Sequence, residues 1–160
     1  MTCLILTSDS GFGLAASDVA DVVIPFSFRF VWGPLPSPDE LATYIAARSD
    51  KHGPGSHWSD YVGRWHHGSK AHRDRGLIEF CRHYEIVELW FDPGPNDQLL
   101  LIWLLDYFRS HPETVAKSRL RLVDFALIGL PPEVLGRRKV PTVDLTECLS
   151  GEKLNPMNRL

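Results

Sequence analysis

Residues 84–108, Tyr-Glu-Ile-Val-Glu-Leu-Trp-Phe-Asp-Pro-Gly-Pro-Asn-Asp-Gln-Leu-Leu-Leu-Ile-Trp-Leu-Leu-Asp-Tyr-Phe, constrain the fold of this chain more than any other stretch. An apolar run of strand length, Ile86–Phe91, meets a Pro-Gly turn, and Asn96-Asp97-Gln98 opens a strongly apolar helix. Strand, tight turn and helix in immediate succession form the repeating unit of an α/β fold. Asn96 is expected to be the N-cap. Asp97, in the first turn, is expected to gain about 0.3–1 kcal/mol from the positive end of the helix dipole. The helix is predicted to run to about Arg109, with a weaker helical pattern up to Ser118.

The rest of the chain extends this unit. Cys3–Thr7 reads as a short buried strand ending in Ser8-Asp9-Ser10-Gly11, followed by a brief helix through Leu14–Ala20 and a second strand, Val22–Phe26. Continuous rather than alternating apolarity in both strands predicts a parallel sheet covered on both faces. Ser37, Pro38 and Glu40 form a helix start of capping-box type, with Leu41, Tyr44, Ile45 and Arg48 on one face until His52-Gly53-Pro54-Gly55 breaks it. A second helix is predicted from Ser56, with Trp58, Tyr61, Val62 and Trp65 at helical spacing. Leu77, Ile78, Cys81 and Tyr84 continue that period into the central strand. Leu120–Phe125 reads as a fourth strand, with a turn at 129–132, a short strand near Val140–Val143 and a short helix capped by Thr142 or Asp144.

The expectation is a single α/β domain over residues 1–150. Its mainly parallel sheet has about four to five strands, helices on both faces and a helical insertion at 27–85, and residues 151–160 form a tail. In such sheets ligands bind beyond the carboxyl ends of the strands. Ser8–Gly13, Ser27–Pro36, Asp92–Gln98 and the segment after Phe125 meet that description. The candidate ligand-binding residues are therefore Asp9, Ser10, Gly11, Gly13, Trp32, Gly33, Asp92, Asn96, Asp97 and Gln98.

Several motifs are weaker than they look. Gly11-Phe12-Gly13-Leu14-Ala15-Ala16 fits a Gly-x-Gly-x-x-Ala string after a strand, but nothing acidic ends the second strand and Asp9 would repel a phosphate. A glycine turn is the better reading. His57, His66 and His83 have no partner at zinc-ligand spacing, and His66, His67 and His72 do not share one helical face. Surface positions are expected for them. Trp58 and Trp65 are expected to dock the helical region, and Trp90 and Trp103 to lie in the core. Cys3, Cys81 and Cys148 are odd in number and far apart, which fits reduced thiols in a cytoplasmic protein, with Cys81 a small core residue.

Charge and composition exclude some classes. A net charge of −3 and scattered basic residues give no footprint for nucleic acid or anionic membrane. The longest purely apolar run, Leu99–Leu105, is far short of the roughly 20 residues that span a bilayer, and no export signal opens the chain. That run does cover all sides of a helix, so something must cover its outer face. Self-association through Leu99–Leu105 is one expectation.

Four short elements resemble the bacterial proteins grouped as domain of unknown function family 1835. They are Asp9-Ser10, Trp32-Gly33-Pro34-Leu35, Leu89-Trp90-Phe91 and Asp97-Gln98-Leu99, with Leu104–Phe108 continuing the last. The resemblance implies an α/β domain and no established activity. The chain has Pro93-Gly94 where relatives often carry a His-Asp pair, and Ser8 where a glycine is common. Larger relatives carry a further C-terminal region. No nucleophile, base or metal constellation stands out, so no cofactor is predicted. The expected function is a non-catalytic ligand-binding, regulatory or interaction module. The alternative is an enzyme acting on a phosphorylated or nucleotide-like substrate, with Asp92 or Asp97 holding a divalent cation.

Overall fold

The computed structural model describes residues 1–16, 18–63, 65, 68–122 and 142–144, with Ser10, Phe12, Ala15, Ala16, Leu122 and 142–144 described by backbone alone. His66, His67, Cys148, the turn at 129–132, the end of the expected fourth strand, the last helix and the tail lie outside the described residues.

Four parallel strands carry the fold: β1 (Cys3–Ser8), β2 (Val22–Phe26), β3 (Ile86–Phe91) and β4 (Ser118–Leu122). A three-residue strand, β5 (Thr142–Asp144), pairs antiparallel with β4, and the order is β2-β1-β3-β4-β5. The chain leaves β1 on one side to form β2 and comes back on the other side as β3. The sheet therefore reverses its winding between β1 and β3, which is where open α/β sheets form a crevice.

Side-chain alternation gives the sheet two unlike faces. Leu4, Leu6, Val22, Ile24, Phe26, Val87, Leu89 and Phe91 all point to one side and are buried in a single core. All four helices pack into that core: α1 (Pro38–Ile45), α2 (Leu77–Cys81), α3 (Pro95–Arg109) and α4 (Pro112–Val115). The opposite face buries Ile5 and Val23 against Leu14, with Cys3 and Trp90 beside them. Among the described residues the 3₁₀ segment Asp9–Ala16 lies over that face, and the α-helices lie over the first. The second face is also polar. Glu88 is buried there, taking hydrogen bonds from Trp90 Nε1 (2.7 Å) and Arg121 (2.8 Å), and the Arg121 guanidinium stands 5.6 Å from the Trp90 ring.

Helix α1 starts as its capping box predicts. Ser37 Oγ accepts from the Glu40 amide, Glu40 accepts from the Ser37 amide, and Pro38 occupies the first turn. It ends at Ile45, well before His52, because Arg48 turns away into a polar network instead of extending the helical face. The helix expected from Ser56 is a single 3₁₀ turn, Trp58–Tyr61, and α2 keeps only five residues of its predicted period. Tertiary packing replaces helical length here. Trp58 is wholly buried, its ring 4.6 Å from Phe80 and 6.3 Å from Trp65, and its Nε1 donates to the Arg75 carbonyl at 2.9 Å.

The apolar run of α3 is covered mostly within the chain. Leu100, Leu101 and Leu104 are buried, and Trp103 sets its edge against Phe26 and Phe28. Leu99 and Ile102 remain exposed, at 42% and 61%. Within the apolar run Leu99–Leu105 these are the two exposed side chains, and Trp103 and Leu105 are half-buried. No helix among the described residues is long and apolar enough to cross a membrane.

Candidate functional site

The crevice between β1 and β3 is built by one carboxylate. Asp97, in the first turn of α3, is 4% exposed, and its Oδ2 accepts from the Ser8 hydroxyl at 2.6 Å and from the Asp92 amide at 3.2 Å. Ser8 ends β1 and Asp92 follows β3, so this side chain ties both strand ends to the helix start. Ser8 is itself wholly buried, which makes the pair a clamp rather than an accessible nucleophile and base. Burial pushes the Asp97 carboxyl above the ordinary carboxylate range, and the charges of Asp92 and Asp9 push the same way. The Ser8 hydroxyl and the Asp92 amide oppose them.

The helix start differs from its sequence reading. α3 begins at Pro95 with Gly94 as N-cap, and Asn96 is a residue of the first turn, not the cap. The reason is a longer-range use for its amide. Asn96 Oδ1 accepts from the Phe30 amide at 2.7 Å and Nδ2 donates to the Phe28 carbonyl at 3.1 Å, which pins the loop after β2 against α3. The turn into the helix closes locally, with the Gly94 amide on Asp92 Oδ1 at 2.9 Å and Gln98 Nε2 on the Asp92 carbonyl at 2.8 Å. A Cβ on Gly94 would stand 3.3 Å from that carboxylate oxygen, so glycine leaves the Asp92 side chain its place.

These clamps bring three loops together around a cleft of about 380 Å³, lined by Asp9, Arg29, Val31, Trp32, Asp92, Asn96 and Asp97 among others. Five of the ten sequence candidates, Asp9, Trp32, Asp92, Asn96 and Asp97, meet there. Gly11, Gly13, Gly33 and Gln98 do not line it, and the side chain of Ser10 lies outside the described residues. Gly11 is buried and Gly13 exposed within the 3₁₀ segment that starts at Asp9, and a Cβ on Gly13 would meet nothing within 4 Å. Gly33 adopts a φ of +79°, turning the chain immediately after Trp32.

Arg29 is the residue that sequence reasoning missed. It faces Asp9 at 4.0 Å and lines both this cleft and a neighbouring one of about 760 Å³, as does Trp32. Its position in the loop beyond β2 was the available signal, since that loop already lay among the four expected at the site. The larger cleft is walled by Phe28, Pro34, Leu35 and Tyr44, and among the described residues the buried Tyr44 hydroxyl has no hydrogen-bond partner. Among the described residues no group of three His, Cys, Asp or Glu side chains is placed to hold a metal ion.

A second polar cluster lies around His57. The expected surface histidine is wholly buried, because both ring nitrogens have partners inside the fold. Nε2 faces the Ala46 carbonyl at 3.0 Å, so it carries the proton, and Nδ1 accepts from the Ser59 amide at 3.2 Å. Burial first, then the Arg48 charge, lowers the His57 pKa to about 4. Arg48 donates to Asp74, Asp60 and Ser59 at 2.9, 2.5 and 2.9 Å. Serine, histidine and aspartate meet here, but the imidazole spends its donor on a backbone carbonyl and no carboxylate orients it. Of the other described histidines, His83 is exposed and stacks on the half-buried His72 at 4.1 Å.

No protein-family model, no curated protein and no solved structure matches the chain, so the likeness to family 1835 rests on its four short motifs alone.

Proposed function

We propose that this chain is a non-catalytic module that binds a small ligand in the cleft at the β1/β3 crevice. The observation that carries the reading is convergence. Asp9, Trp32, Asp92, Asn96 and Asp97 come from three separate loops and line one concavity at the place where the winding of the sheet reverses. Three carboxylates in the lining disfavour a bare phosphoryl group, which weighs against the phosphorylated-substrate reading. Burial raises the thiols of Cys3 and Cys81 to about 11 and about 12, which makes both poor nucleophiles.

A thermal-shift screen of small metabolites on the full chain tests this. A true ligand at about 100 times its Kd stabilises the fold by about 2.7 kcal/mol and raises Tm by several degrees. The rise should disappear in Asp92→Asn and shrink in Trp32→Ala. A screen without any response, or a response that both variants retain, removes the cleft as the site.

A further inference from the structure

We draw no further inference here: the strongest candidate, the cleft of about 760 Å³ between the loop after β2 and α1 with Trp32 and Leu35 exposed at its rim, is an open apolar face, and nothing in the structure shows what covers it.

Discussion

The His57 cluster and the β1/β3 cleft are both polar, both partly buried and both rich in Asp and Ser, yet they are opposite in what their groups face. Around His57 both ring nitrogens are paired inside the fold, and Arg48 spreads its donors over two carboxylates and a hydroxyl. At the cleft, Asp97 and Asp92 are bonded into the turn before α3, but Asp9, Arg29 and Trp32 stand at the wall of an open concavity, with the Trp32 indole 72% exposed. A buried polar network with every member satisfied fixes one conformation and has nothing left to bind with. Polar and aromatic groups held at an open concavity can still meet a ligand. Openness separates the two regions better than residue type does.

The largest expected effect lies on the saturated side. Trp58→Ala empties a wholly buried site between the His57 turn and Phe80, and should cost about 3–5 kcal/mol in denaturant unfolding. Ligand binding at the cleft should persist in the folded fraction; its loss would mean that the two regions are one unit.

Acid should loosen the same region next. The folded-state pKa of His57 lies near 4, below its ordinary value of about 6.5, so the unfolded chain takes up the proton first. That contribution to stability is complete above about pH 6.5 and falls by on the order of 2–3 kcal/mol as pH drops toward 4. Urea unfolding between pH 7 and 4 measures the slope, and His57→Gln should flatten it. An unchanged slope would show that His57 does not govern the acid response.

At the cleft, two substitutions of one residue should part company. Asp97→Ala strands the Ser8 hydroxyl and the Asp92 amide and should cost about 1–3 kcal/mol. Asp97→Asn keeps an acceptor for both and removes a repelled charge, so its stability should stay within about 1 kcal/mol of wild type. An Asn variant as damaged as the Ala variant would mean that the charge itself holds the strand ends, and the contrast between the two regions would fail. The smallest effect belongs to α3. Ile102→Lys should change stability by no more than about 0.5 kcal/mol and leave the sedimentation coefficient unchanged, since its side chain is already exposed. A large shift in either would place an interface on that helix.

What the sequence shows and what it hides follow from the range of the interactions involved. Val22–Phe26 and Ile86–Phe91 are strands with the predicted limits, and the Ser37 capping box forms as predicted, because apolar runs and local caps are decided within a few residues. The convergence of Asp9, Trp32, Asp92 and Asp97 was readable in outline, since strand ends in a parallel sheet share one edge. Asn96 misled because its local fitness as a cap was outweighed by bonds to Phe28 and Phe30, more than sixty residues away in sequence. His57 misled for the same reason: nothing near it in sequence announces that the Ala46 carbonyl and Arg48 will enclose it. Helical period around Trp58 and Trp65 reflected burial of aromatics, which a 3₁₀ turn achieved without a helix.

Among the described residues strand β2 has a neighbour on only one side, and at its fourth position stands Pro25, paired in register with Thr7. A proline has no amide hydrogen to offer, and sheets tolerate it where a strand lies at the margin. The apolar composition of Val22–Phe26 would otherwise make that margin a template on which other chains could stack. Pro25 is thus a guard on solubility, and replacing it with valine should leave the monomer folded while shortening the lag before fibrils appear.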